Sequence, residues 1–145
     1  MIVFSPCKIN IGLQVIARRD DGYHEIATVF YPLGLTDVLE IVTAGEGSST
    51  LRLSGNPVPG APDDNLCMKA YRMLRGDFAQ IPDVHIYLHK VIPTGAGLGG
   101  GSSDAAATLS LLNTRYGLDI PEEGLLDYAG RLGSDCAFFI RRHPC

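Results

Sequence analysis

Residues Pro93 to Ala107 read PTGAGLGGGSSDAAA, and five of the seven residues from Gly95 to Gly101 are glycine. Glycine surrenders more chain freedom on folding than any other residue, so a run this dense is a poor choice for a mere connection. Before it, DVHIYLHKVI (Asp83 to Ile92) has strand character. Behind it, Ala106, Leu109, Leu112 or Asn113, and Tyr116 recur at intervals of three and four, which predicts a helix beginning near Ser102 or Ser103. A strand, a glycine-rich loop and a helix N-terminus together suit an anion, because unpaired N–H groups converge there and the helix dipole adds partial positive charge. Glycines let the anion approach where a Cβ would hold it off. The plain alternative is a flexible surface connection; the small residues of Ser-Ser-Asp-Ala-Ala, set where a close ligand needs room, favour the anion. The loop is not a Walker A motif, since no Lys-Ser or Lys-Thr follows the glycines. Nor is it a dinucleotide fingerprint, which needs a different order of elements before it and an acidic residue about 20 residues on, after a second strand.

Working outward, Ile9, Ile11, Leu13 and Val15 alternate with Lys8, Asn10, Gly12 and Gln14, the period of a half-buried strand that puts Lys8 and Asn10 on one face. RRDDGYH (Arg18 to His24) carries an Asp-Gly turn signal, and EIATVFYPL after it predicts a second strand. DVLEIVTA (Asp37 to Ala44) and STLRLSG (Ser49 to Gly55) alternate likewise and predict further antiparallel strands. The Pro- and Gly-rich NPVPGAPDDN leads into a helix over LCMKAYRMLRG, with Asp63 or Asp64 as its N-cap. PEEGLLDYAGRLG predicts a last helix with Pro121 at its first position, and the apolar CAFFI a closing buried strand. The order predicts an α+β domain, mostly antiparallel with helices on one face, rather than strict βαβ alternation.

Composition narrows the function classes. The 145 residues are enough for one core, and 46% hydrophobic content describes a globular chain. No apolar run reaches the roughly 18 residues of a membrane span, and MIVFSPCKIN is no signal peptide, so no membrane partner and a cytoplasmic location are expected. The net charge of −4 argues against nucleic acid. Cys7, Cys67, Cys136 and Cys145 form no CxxC pair and read as reduced core thiols, with zinc not expected. The ending RRHPC, straight after an apolar run, suggests a truncated protein or an isolated domain.

PTGAGLGGGSSDAA resembles the phosphate-binding loop of the GHMP kinases, where it wraps the phosphates of ATP. Four more stretches, PCKINIGL, RRDDGYHEI, DDNL and LGSDCAFFI, narrow the resemblance to the members that phosphorylate a cytidine diphosphate conjugate in the non-mevalonate isoprenoid route. It spans essentially residues 1–145, as the N-terminal ATP-binding domain of an enzyme about twice as long whose C-terminal domain completes the cleft. It implies a ribosomal protein S5 domain 2-like fold. It departs from the family pattern at Ala137, where a proline is usual.

The resemblance implies two substrates, ATP and 4-diphosphocytidyl-2-C-methyl-D-erythritol, with transfer to the 2-hydroxyl of the latter. It makes Asp135 the base that takes the hydroxyl proton and Lys8 the cation beside it. A carboxylate next to a lysine can orient a hydroxyl as well as deprotonate it. Taken alone, Asp135 could equally be a turn residue. Asn10, Tyr23 and His24 are implied at the cytidine end, where a Tyr can stack on a pyrimidine and a His can pair with its polar edge; a lone His24 after an Asp-Gly turn would ordinarily be an exposed residue. Asn65, Leu66 and Lys90 are implied near adenine, with a solvated strand residue as the other reading of Lys90. The phosphates fall to Pro93, Gly95, Ala96, Gly97, Leu98, Gly99, Gly100, Gly101, Ser102 and Ser103. Mg2+ follows from the triphosphate, with its ligands unassigned. Asp104 is a candidate, its alternative being to satisfy first-turn amides. His85 and His89 read as structural or exposed. Two alternatives stay open: another GHMP small-molecule kinase acting on mevalonate, homoserine or a sugar, and a noncatalytic binding module.

Overall fold

The computed structural model describes residues 1–18, 22, 24–45, 47–141 and 143, with the backbone alone for His24. Four strands, β1 (Ile2–Arg18), β2 (His24–Thr43), β3 (Thr50–Gly55) and β4 (Val84–Lys90), form one sheet in the order β1-β2-β4-β3. Four helices follow the same chain: α1 (Leu66–Asp77), α2 (Gly100–Tyr116), α3 (Glu122–Leu132) and α4 (Cys136–Arg141).

β4 shows how the sheet is built. Val84, Ile86, Leu88 and Lys90 are buried while His85, Tyr87 and His89 face away, the period of two that a strand with one covered face requires. In β2, Leu39 and Ile41 share that inward face. Onto it pack Met68, Tyr71 and Leu74 of α1, Leu109 and Leu112 of α2, and Leu125 and Ala129 of α3, making one core between the sheet and a single layer of helices. The α+β class therefore holds.

Four local expectations are corrected. EIATVFYPL and DVLEIVTA belong to one continuous strand, β2, rather than two. STLRLSG does form a strand, but β3 pairs with β4 in parallel, because α1 intervenes and a crossover helix returns the chain in the same direction. The N-cap of α1 is Asn65, whose side chain accepts the Cys67 N–H at 2.9 Å, while Asp63 and Asp64 lie in a preceding 3-10 turn that Pro62 opens. CAFFI is the helix α4, not a strand: a short apolar run carries no period to separate the two, and here Cys136, Phe138 and Phe139 all turn inward.

The distal half of the β1/β2 hairpin also differs. Gly12 takes φ +64°, and the β1/β2 register shifts between Ile11 and Leu13. From Ile11 to Arg18 both faces of β1 are exposed, so the expected apolar face of Ile11, Leu13 and Val15 is more than half exposed. Its tip pairs Arg18 with His24; Asp21 lies outside the described residues. Cys7, Cys67 and Cys136 are buried free thiols, as expected, and Cys145 lies outside the described residues. Among the described residues no helix is long and apolar enough to cross a membrane.

Candidate active site

The glycine loop leaves β4 at Val91 and delivers the chain into α2 at Gly100. Gly95, Gly97 and Gly99 all take positive φ. At Gly99, φ +69°, a Cβ would stand 2.9 Å from the Phe139 ring and 3.2 Å from Lys8 Cε, so both conformation and crowding require glycine. Gly100 is crowded too, its would-be Cβ meeting Ile92 at 2.9 Å. These two glycines are thus explained by protein packing beneath the loop, not only by room for an anion above it. α2 begins at Gly100 with Gly99 as N-cap, two or three residues before the expected start, and no side chain caps its first turn. Ser102 instead turns toward Cys136, and Ser103 is buried inside the helix. The loop from Pro93 through Gly97 is exposed.

One buried lysine stands at the inner edge of this loop. The Lys8 N–H donates to the Leu98 carbonyl at 2.9 Å, tying β1 to the loop. Lys8 is 5% exposed; its ammonium donates to Asn10 Oδ1 at 2.6 Å, stands 3.3 Å from Asp135 Oδ2 and lies 4.8 Å above the Phe30 ring. Asn10 in turn donates to Thr28 Oγ1 at 3.2 Å. Asp135, in the turn before α4, keeps 31% of its side chain exposed. Phe30, Phe138 and Phe139 stack into a small apolar cluster behind the lysine. Three stretches far apart in sequence, β1 at Lys8 and Asn10, the loop at Leu98 and the turn at Asp135, therefore meet at one point, with the carboxylate partly open to solvent.

The remaining candidates are placed around that point. Leu66, half-buried at the start of α1, lies 3.9 Å from the position of a Cβ on Gly101, so Asn65 and Leu66 adjoin the first turn of α2. Beside the loop an open cavity of about 660 Å³ is lined by Asn56, Pro57, Val58, Pro59, Pro93, Thr94 and Gly95. The sequence motifs do not point to this apolar slot; its one signal along the chain is the Pro-rich segment Asn56 to Pro59. The backbone of His24 lies at the far end of β1/β2 from Lys8, and its side chain and Tyr23 lie outside the described residues.

Lys90 is not a solvated strand residue. It is 4% exposed, and its ammonium donates to Asp37 and, at 2.7 Å, to Asp104. Asp37 also accepts the Val91 and Ile92 N–H groups at 2.6 and 2.8 Å, and Asp104 accepts the Ser5 hydroxyl at 2.5 Å. Asp104 thus neither caps first-turn amides nor faces the loop. Burial pushes the Asp104 carboxyl up to about 6, against the pull of the Lys90 ammonium and the Ser5 hydroxyl. Burial works against the charge of Lys90, but the two carboxylates outweigh it and raise its pKa. His85 and His89 bond Thr50 and Ser54 through Nδ1 at 2.8 and 2.9 Å on the outer face of the sheet.

Residues 65–143 match the family model described as GHMP kinases N terminal domain. The chain belongs to that family. This GHMP kinase domain is 50% identical, over 99% of its length, to 4-diphosphocytidyl-2-C-methyl-D-erythritol kinase of Bacteroides fragilis, covering 53% of that protein. It is 51% identical to the kinase of the same name from Cytophaga hutchinsonii over 97% of its length, covering 51% of the relative. A crystal structure of 4-(cytidine 5'-diphospho)-2C-methyl-D-erythritol kinase superposes with TM-score 0.81 at 39% identity, covering 99% of this chain and 50% of that one. The domain therefore spans about half the length of the relatives it matches.

Proposed function

We propose that this GHMP kinase domain is the nucleotide-binding half of an ATP-dependent small-molecule kinase that phosphorylates the 2-hydroxyl of 4-diphosphocytidyl-2-C-methyl-D-erythritol. The single observation that carries the reading is the meeting of Asp135 and Lys8 at the edge of the glycine loop, with the ammonium 3.3 Å from the carboxylate and the Lys8 amide bonded to Leu98. The relatives' names supply the substrate. A second domain, of about this one's size, closes the cleft, and the topology is taken to be that of ribosomal protein S5 domain 2.

In this reading the backbone amides of the loop and the uncapped first turn of α2 hold the triphosphate. The base enters the slot between Pro57, Val58, Pro59 and Pro93, with Asn65 and Leu66 beyond it. Lys90 serves this end through its carbonyl, which accepts the Asn56 N–H at 2.8 Å and so holds one wall of the slot. Asn10, Tyr23 and His24 take the cytidine diphosphate end. The acceptor oxygen attacks the γ-phosphorus as the bond to the β,γ-bridging oxygen breaks, ADP leaves, and the hydroxyl proton passes to the Asp135 carboxylate. Lys8, already fixed by Asn10 and the Phe30 ring, neutralises charge on the transferring group without reorganising. Asp104 is turned to Lys90 and Ser5 and offers no carboxylate to magnesium, and the described residues hold no group of three or more candidate metal ligands. Mg2+ is proposed here as the companion of the triphosphate, which would bring it to the loop.

The test is coupled ADP release by the full-length protein with the cytidine conjugate, mevalonate, homoserine and galactose as acceptors. Turnover of the first alone is expected. Turnover of another acceptor instead overturns the substrate, and no ATP-dependent turnover of any overturns the activity.

A further inference from the structure

The side chains of Asp37, Lys90 and Asp104 form a cluster under the glycine loop that takes no part in the transfer step proposed above; only the Lys90 carbonyl has a use there. Its members come from three elements: Asp37 from β2, Lys90 from the last position of β4, and Asp104 from the second turn of α2. Ser5 of β1 joins it through Asp104. All four residues are buried, and no buried side-chain nitrogen or oxygen among the described residues lacks a partner. An ammonium between two carboxylates, out of water, is an expensive way to fill space, because apolar side chains of similar volume pack there without the desolvation cost.

What the cluster joins is specific. Asp37 Oδ1 takes the two amides with which the loop begins, Val91 and Ile92. Lys90, the residue before them, reaches across to Asp104 on the helix with which the loop ends. The Lys90 Nζ also lies 3.2 Å from the position of a Cβ on Gly100, so it sits against the first residue of α2 as well. Both ends of the loop are thus referred to one buried ammonium, while Pro93 through Gly97 between them are exposed and, among the described residues, are held by the Thr94 hydroxyl on the Pro57 carbonyl at 3.4 Å.

We propose that Asp37, Lys90 and Asp104 are positioning residues for the phosphate loop: by bridging the end of β4 to α2 they fix how far apart the loop's two ends stand, and so how its amides are presented to a triphosphate. This rests on the nucleotide-binding reading above. A loop whose ends are held at the wrong separation still folds but presents its amides badly, and misplacement on the order of 1 Å can cost an enzyme about a hundredfold in rate.

Asp104→Leu in the full-length protein cuts the bridge to α2 while leaving Lys90 and Asp37 as a neutral pair. ADP affinity, measured by calorimetry, is expected to fall roughly ten- to a hundredfold, with affinity for the cytidine conjugate within about twofold of wild type. Amide exchange is expected to accelerate in residues 93–101 and not in β2. Asp104→Asn, which keeps an acceptor for Lys90, is expected to restore ADP affinity to within about threefold of wild type. Should Asp104→Leu fail to fold, Asp37→Asn with Lys90→Met and Asp104→Leu removes all three charges together, keeps an oxygen for the Val91 and Ile92 amides, and is held to the same expectation. ADP affinity unchanged in a folded variant, or equal losses for both ligands with faster exchange throughout, overturns the positioning role while the kinase reading stands. A wild-type protein without ADP affinity overturns both.

Discussion

Lys8 and Lys90 are both buried, both within reach of the glycine loop, and both paired with aspartate, yet the structure gives them opposite surroundings. Lys8 faces one carboxylate, Asp135, that remains 31% exposed, and its other neighbours are an amide oxygen and an aromatic face. Lys90 faces two carboxylates that are themselves buried, so its hydrogen-bonding capacity is spent inside the protein. A cation next to a half-open carboxylate can meet a substrate; a cation enclosed by two aspartates can only hold protein to protein. Residue type and loop proximity do not separate the two. The solvent exposure of the partner does.

The comparison is broken most directly at Asp135. Asp135→Ala is expected to lower kcat of the full-length protein by about a hundred- to ten-thousandfold while ADP affinity stays near wild type, the range over which a positioned base contributes; a variant that loses ADP binding instead assigns Asp135 a structural role. Lys8→Met should act in the same assay with a loss on the order of a hundredfold in kcat, reading on turnover more than on stability. Lys90→Met should do the reverse. It strands two buried carboxylates, and unfolding by urea should show a loss of about 3–5 kcal/mol. A Lys90→Met protein as stable as wild type contradicts the enclosed-cation reading.

A smaller effect sharpens the same contrast through pH. The folded state holds the Asp104 proton more tightly than the unfolded chain, so the stability it contributes is fully present below about pH 4 and is lost as pH rises through about 6. The span from the ordinary carboxyl value of 3.8 to about 6 corresponds to about 3 kcal/mol at most. Asp104→Asn should flatten that part of the stability profile, measured as denaturant midpoints between pH 4.5 and 7.5. The smallest effect is expected from Glu122→Ala, which removes the Arg141 partner in an ion pair where both side chains are more than half exposed; thermal unfolding should register less than about 1 kcal/mol.

Much of this was readable along the chain. The spacing of Lys8 and Asn10 placed them on one face, and they are bonded at 2.6 Å. The strand, loop and helix around Gly95 to Gly101 were legible from period and composition, as was the α1 helix. The burial of Lys90 has a signal in the sequence: it continues the inward parity of Val84, Ile86 and Leu88, just as Asp37 continues that of Leu39 and Ile41. A lysine and an aspartate in phase with core residues on two strands are candidates for a buried pair. Other features had no such signal. CAFFI carries no periodicity to choose helix over strand, and the parallel pairing of β3 depends on where α1 returns the chain.

The sequence by itself determined the local elements, the glycine loop between a strand and a helix, and the family to which the chain belongs, because periodicity, capping chemistry and motif order act over a few residues at a time. Only the tertiary structure decided which charges are open and which are enclosed. Burial is a property of what packs against a side chain from elsewhere in the chain: Lys90 is enclosed by Asp37 and Asp104, 53 and 14 residues away on two other elements, while Asp135 meets Lys8 from the opposite end of the chain and stays part-open.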